Sequence, residues 1–501
     1  MPLPPGSAMK GGRRVLWFHL WIFCAWISML AYGCAVGPDF VRPKPPAVSR
    51  YTQGKQPTET VSADGQAQVF EYGANITEDY WRMFKSPPLN AMIREAIEEN
   101  PGLQSAQARL RQSQENLRAG YGVFFPQIGG SFDATRQKFS PQKFGSSSPS
   151  NIFNLFTASA TISYVLDVFG GQRRTIESLS AQVDQQNYTT QAAYLTLTGN
   201  IVNAAIAQAA YRAEIEASEQ IISFEKELVE LTETQAQAGT VPYVNVLSLK
   251  SQLLATEATL PTLKKNLDQS LHLLAALLGR ASGEWLPPPL TLEDFALPAN
   301  LPITLPSELV RRRPDILASE AQVHTASANV GVATAAMFPS FTLSGELGQN
   351  SSDITRLFDS AGTIWTVGTN MASPLFQGGT LWFQRRAAIE AYQASLSDYR
   401  QVVINALQQV ADTLRGVEHD AETLRAQSEA LVIAEENLNL VKANYEAGLV
   451  NYLQMLTADN QYQQAKLGYI QAKALRLQDT AALFVALGGG WWNAEAKPAG
   501  E

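Results

Sequence analysis

The chain has 501 residues, 45% of them hydrophobic, enough for two or more ordinary domains or for one long one. Its formal net charge is −8, and its Lys and Arg residues form no cluster dense enough to follow a phosphate backbone, which argues against nucleic acid as a partner.

At the N-terminus, Lys10, Arg13 and Arg14 precede an apolar run over residues 15–31, and Gly33-Cys34 follows at once. This predicts a signal peptide over residues 1–33 that ends at a lipid-modified Cys34. The alternative is an uncleaved anchor, since an apolar run of that length approaches the span of a bilayer. Cleavage removes three positive charges and no acids, which takes the net charge from −8 to −11. The other cysteine, Cys24, lies within the signal, so the exported chain has no internal disulfide and Cys34 is free for acylation. Acyl chains alone bind a membrane weakly, so a second contact with the bilayer is required. Residues 34–78 form an N-terminal segment whose first part, 35–64, is rich in Pro, Ser, Thr and Gln without an apolar period. It reads as an extended strap or as a disordered linker.

The remainder contains an internal repeat. Asn100-Pro101 answers Arg313-Pro314 and Phe125-Pro126 answers Phe338-Pro339, both at an offset of 213. Ala238-Gly239 answers Ala447-Gly448, Tyr243 answers Tyr452 and Leu278-Gly279 answers Leu487-Gly488, all at 209. The predicted organisation is a first repeat over 79–285, a linker over 286–304, a second repeat over 305–488 and a tail over 489–501.

Each repeat opens with a helix that a Phe-Pro pair ends. Two β segments follow, at about 124–139 and 152–169 in the first repeat and about 338–349 and 363–376 in the second. The alternation is clearest in Phe156, Ala158, Ala160, Ile162, Tyr164 and Leu166 against Thr157, Ser159, Thr161, Ser163 and Asp167. Apolar side chains outward and polar side chains inward is the pattern of a membrane barrel; a soluble hairpin with one wet face is the other reading.

Uninterrupted helical sequence then runs to Gly239 and Gly448, about 65 residues or about 100 Å in each repeat. In the second, positions from Tyr392 to Tyr445 recur at steps of 4 and 3, a mean of about 3.5, which specifies a left-handed coiled coil. Gly239 and Gly448 predict helix reversals, with a shorter helix returning from each. Four strands leave two edges unpaired, which hydrocarbon does not tolerate, and membrane barrels need at least about eight strands, so two or more copies must associate.

The runs Pro87-Pro88-Leu89-Asn90, Tyr164-Val165-Leu166-Asp167-Val168-Phe169-Gly170, Arg311-Arg312-Arg313-Pro314-Asp315-Ile316 and Phe338-Pro339-Ser340, with Gly33-Cys34-Ala35-Val36-Gly37-Pro38-Asp39-Phe40, carry a family resemblance. The chain resembles the TolC-like outer membrane factors, in particular the lipoprotein branch typified by nodulation protein T. The resemblance implies a mainly α fold with a transmembrane β part. Long antiparallel coiled-coil helices would form an α-barrel continuous with a β-barrel, with four strands per subunit closed by trimerisation. It also implies a lipid-anchored exit duct of a tripartite efflux system, with a periplasmic adaptor (membrane fusion) protein and an inner-membrane transporter as partners.

The family closes its periplasmic end near the helix reversals, often with acids six and nine positions after the reversal glycine. Here those places hold Asn245 in the first repeat and Gln454 and Thr457 in the second, whereas Tyr445 matches a family gate position. Asp459 reads either as an aperture acid in a shifted position or as a solvated residue on a helix surface. The histidines (His19, His272, His324 and His419) lack metal-ligand spacing, and neither a nucleophile elbow nor a phosphate loop is present, so no cofactor, metal or catalysis is expected. Arg311, Arg312 and Arg313 read as a strut at a helix start. The competing function is a non-conducting periplasmic coiled-coil adaptor or envelope scaffold, which would lack the paired amphipathic strands.

Overall fold

A computed structural model describes residues 35–54, 56–140, 142, 145 and 149–491. The expected signal peptide, Cys34 and the tail beyond Trp491 lie outside the described residues. The described residues divide into two compact units: those up to Arg42, Arg111–Gln185 and Glu320–Asp398 form one, and Pro43–Leu110, Gln186–Ser319 and those from Tyr399 onward the other.

The first unit holds a four-stranded antiparallel sheet of order β2-β3-β5-β6, with β2 Gln127–Phe139, β3 Asn151–Leu166, β5 Ser340–Ser351 and β6 Thr363–Ala372. Directly paired residues share a face of a pleated sheet. The register therefore aligns Ile128, Ile162 and Phe132 with Ala160, Leu347 and Trp365 on one face. Ser131, Ser159, Thr161, Glu346 and Thr366 lie on the other. Among the described residues nothing covers the apolar face, with Ile128 77%, Trp365 72% and Val367 79% exposed.

Asp167 departs from the alternation expected of it. The strand ends at Leu166, and the Asp167 carboxylate instead accepts the backbone N–H of Gln172 and Arg173, at 2.9 and 3.0 Å, at the start of α3 (Gly171–Gln237). A carboxylate there satisfies orphan donors of the first helical turn and complements the helix dipole. The N-terminal segment of this unit is ordered against α3 and α7 (Pro314–Ala335): Arg174, 5% exposed, reaches Asp39 and Glu177, each at 2.7 Å, and Phe40 stacks on His324 at 4.2 Å. Gly37, with φ of +96°, lies so close to Gly331 that a Cβ on it would come within 2.5 Å of that backbone.

In the second unit, α1 (Pro87–Glu99), the rest of α3, α8 (Thr380–Glu446) and α9 (Tyr452–Ala486) bury the largest core around Ile93, Ile201, Ile206, Val410 and Phe484. α2 (Pro101–Tyr121) enters the other unit after Leu110. Both α3 and α8 run 67 residues without a break. Of the 3.5-residue stripe, Tyr399, Val403, Ala406, Val410, Leu414, Val417, Ala421 and Leu424 are buried, as helix packing through one seam requires. The return from Gly239 is two helices, α4 (Tyr243–Glu257) and α5 (Leu260–Leu277), where the sequence suggested one. Pro261 explains the break, because it has no N–H and its ring opposes the carbonyl four residues back.

The strap is also more structured than its composition suggests: β1 (Val69–Tyr72) pairs in parallel with β4 (Asn300–Ile303) of the linker. Arg476 of α9, 1% exposed, holds the segment before it through Thr60, Gln66 and Gln68 at 3.2–3.3 Å. Arg313, at the start of α7, donates to the Ala486 carbonyl at 2.8 Å, consistent with a strut. The short helix before it, α6 (Pro306–Arg312), opens on a proline that needs no hydrogen-bond partner.

Arg476→Met keeps the volume of the side chain but strips the strap of its donors, leaving buried acceptors unpaired. The expected cost is on the order of 3 kcal/mol, read as a lowered denaturation midpoint and as new proteolytic cleavage around residues 57–68.

Candidate functional site

The candidate site lies in the second unit, at the ends of α3 and α8. Both helices stop at a glycine in the left-handed conformation, Gly239 and Gly448, each with φ of +74°. At the first, the Gly239 N–H reaches the Ala236 carbonyl and the Thr240 N–H that of Gln235, both at 3.0 Å. At the second, Gly448 reaches Tyr445 at 3.0 Å and Leu449 reaches Asn444 at 2.8 Å. This pair of bonds is the Schellman motif, which satisfies the last carbonyls of a helix and turns the chain back.

Tyr445 is 5% exposed and lies one turn before the second reversal. Its hydroxyl shares a hydrogen bond with the Thr232 hydroxyl at 3.2 Å and donates to Gln235 Oε1 at 3.1 Å. It thereby joins α8 to α3 inside a cluster that includes Leu228, Leu249, Leu438 and Met455. Its first-repeat counterpart by the 209 offset is Ala236, which has no hydroxyl, so this link exists at one of the two equivalent places.

The remaining candidates separate. Gln454 is exposed and closes a capping box with Asn451, the backbone N–H of each meeting the side-chain oxygen of the other at 3.0 and 3.3 Å. Thr457 is exposed and donates to the Leu453 carbonyl of its own helix at 2.8 Å. Asn245 is half-buried in the first turn of α4, its N–H on the Pro242 carbonyl at 3.0 Å. Among the described residues, none of these three hydrogen-bonds another of the five aperture candidates.

Asp459 is not a solvated surface residue. It is 1% exposed, its carboxyl is pushed up to about 7 by burial and then by the facing Glu225 of α3, and Gln463 donates to its Oδ2 at 2.8 Å. Farther along, burial and the neighbouring Asp479 likewise push Asp420 up to about 7. Glu225, Thr232 and Gln235 were not singled out from the sequence. Glu225 and Thr232 were nevertheless detectable there as polar residues at steps of 3 and 4 in the stripe Ile221, Ile222, Glu225, Leu228, Val229, Thr232 of α3. Among the described residues, no three His, Cys, Asp or Glu side chains are placed to hold a metal ion.

Residues 92–280 and 305–489 match the family model described as outer membrane efflux protein, one match in each repeat. Nodulation protein T of Rhizobium leguminosarum bv. trifolii is 27% identical over 478 residues, 93% of this chain and 96% of that one. The probable efflux pump outer membrane protein TtgC of Pseudomonas putida is 26% identical over 463 residues, 92% and 93%. The solved outer-membrane channel OprN superposes with a TM-score of 0.83 at 27% identity, covering 91% of this chain and all of that one. The Campylobacter jejuni CmeC outer membrane channel has the same fold, with a TM-score of 0.81 at 20% identity over 91% of this chain and 95% of its own.

Tyr445→Phe removes both hydroxyl contacts and leaves the ring in place. The helix ends should open more readily by about 1 kcal/mol, so that amide exchange in peptides around residues 440–450 accelerates roughly fivefold while exchange in the sheet is unchanged.

Proposed function

The chain belongs to the outer membrane efflux protein family, and from that premise we propose that it acts as a homotrimer whose three sheets close into one twelve-stranded barrel. A member of this family is an outer-membrane channel subunit of a tripartite efflux system, located in the outer membrane and extending into the periplasm, and the family does not consist of enzymes.

The observation that carries the proposal is the sheet. Its strands have one apolar face, one face of hydroxyl and carboxyl side chains, and two edges, β2 and β6, without a partner strand among the described residues. Lipid against the apolar face and a neighbouring copy at each edge satisfy all three conditions. Two copies would give about eight strands, a bore that side chains alone fill, so a conduit calls for more copies. Three copies agree with the family resemblance. The polar face, with Ser131, Ser159, Thr161, Ser163 and Thr366, then lines water.

The helices past the sheet would continue this duct through the periplasm, narrowing where α8 meets α3 through Tyr445. Asn245, Gln454, Thr457 and Asp459 stand near that narrowing, next to the reversals at Gly239 and Gly448. A periplasmic adaptor protein would dock on the duct, and an inner-membrane transporter would supply the energy and most of the selectivity for small molecules or drugs. Cys34 would carry acyl chains that add outer-membrane lipid contact to that of the barrel. A non-conducting scaffold has no use for a sheet with one wet and one apolar face.

Purified protein should run at three times the subunit mass and produce discrete conductance steps in a planar bilayer; a monomer that neither inserts nor conducts, even with Tyr445→Ala, contradicts the proposal. Cys34→Ala should abolish incorporation of labelled fatty acid yet leave detergent-resistant trimers in the outer-membrane fraction.

A further inference from the structure

Glu225 of α3 and Asp459 of α9 meet inside the second unit, each 1% exposed. The Gln463 amide bridges one oxygen of each, reaching Glu225 Oε1 and Asp459 Oδ2, both at 2.8 Å. Thr256 of α4 donates a further bond to Glu225 Oε1 at 3.0 Å. The other two oxygens, Glu225 Oε2 and Asp459 Oδ1, are buried without a protein partner, although the two carboxyls lie within hydrogen-bonding reach of each other. Two ionised carboxylates in that position would be like charges out of water, facing each other with an unsatisfied oxygen apiece. A single proton removes both problems, because it neutralises one group and makes it the donor to the other.

We propose that Asp459 is held protonated and donates to Glu225, and that this one proton fastens α9 of the second repeat to α3 of the first, so that losing it loosens the seam beside Tyr445 and favours an open aperture. The proposal that the seam governs an aperture rests on the channel reading above; the shared proton does not.

Among the described residues, the surroundings supply no cation to take the proton's place. Lys226 of α3 pairs with Glu257 at 2.9 Å, Lys250 of α4 pairs with Glu233 at 2.5 Å, and Lys442 of α8 lies over the Phe224 ring at 4.8 Å. On the same faces, Glu435 of α8 acts on Tyr462 of α9 and raises its phenol, after burial. Among the described residues, Glu225 is the one charged group that acts appreciably on Asp459. Nearby Leu228, Met455 and Ala458 are buried and apolar, so water has little access to the pair.

The direction of the pH response follows. Burial and Glu225 raise the Asp459 carboxyl to about 7, above the ordinary range near 3.9 that it has in the unfolded chain. Over that interval the folded state holds a proton that the unfolded state has lost. The stabilisation is complete at acid pH, declines as pH rises through the interval and is gone above about 7. Acid therefore fastens the seam and alkali releases it.

The test uses the full-length trimer in lipid nanodiscs, with helix melting and single-channel recording followed from about pH 5 to about pH 8.5. Asp420, which titrates in the same range beside Asp479, makes the comparison with variants essential. Wild type should lose several degrees of melting temperature across the range and gain open probability severalfold. Asp459→Asn, a neutral donor that stays neutral, should lose part of that melting slope and most of the gain in opening, and Glu225→Gln should do the same from the other side. Asp420→Asn should keep the wild-type opening response.

Identical pH slopes of melting in wild type, Asp459→Asn and Glu225→Gln would overturn the shared proton. A changed melting slope with an unchanged opening response would overturn its role at the aperture. If none of the proteins conducts, the channel reading falls, and the melting curves still decide whether the proton is there.

Discussion

An antiparallel sheet of four strands with one apolar face and two open edges cannot exist alone in hydrocarbon, and this constraint organises much of the molecule. Each unpaired N–H or C=O at β2 and β6 would cost several kcal/mol in lipid. The apolar face would be equally out of place in water: Trp365, Val367 and Ile128 are among its exposed side chains. Association through the edges and immersion of one face resolve both problems. The long helices follow in sequence directly from the strands: β3 ends at Leu166, and Asp167 caps α3 within five residues.

The second unit is built from the opposite principle, burial rather than pairing. Its helices pack through small and branched apolar residues at coiled-coil spacing, and some of the polar groups buried within that packing tie one element to another. Arg476 fixes the strap to α9, Arg313 ties a helix start to the end of α9, and Tyr445 joins α8 to α3. Buried polar groups of this kind add little net stability over apolar packing, but they select one register among several that sliding helices would otherwise share. The repeat makes that selection necessary. Two similar helix pairs fit one another in more than one way, and residues that differ between the copies, such as Tyr445 and Ala236, break the equivalence.

Much of this is legible in the sequence where a period or a backbone requirement writes it. The alternation from Phe156 to Leu166 marks a strand because each step flips a side chain across the sheet, and Gly239 and Gly448 mark reversals because a left-handed residue strongly favours glycine. The misreadings come from residues whose partners are distant in sequence. Asp167 continues the alternation by type, yet its carboxylate serves the helix start. Asp459 is an acid on a helix, for which a solvated face is the ordinary expectation, and only Glu225, more than two hundred residues earlier, shows otherwise. β1 is hidden in a polar strap because its partner β4 lies in the linker. Among the aperture candidates, position relative to Gly448 distinguished Tyr445, whereas Gln454 and Thr457 occupy places whose local helix chemistry accounts for them: a capping box and a hydroxyl turned onto its own helix.

The central claim is that β2 of one copy pairs with β6 of the next. Cysteine pairs that place one thiol at Ser131, Asp133 or Thr135 of β2 and the other at Thr366, Gly368 or Asn370 of β6 test it directly, in membranes and under mild oxidation. The account predicts that at least one combination yields covalent dimers and trimers, with the linear ladder converting to a closed trimer as oxidation completes. Monomers alone across every combination, from protein present in the outer membrane, would contradict it.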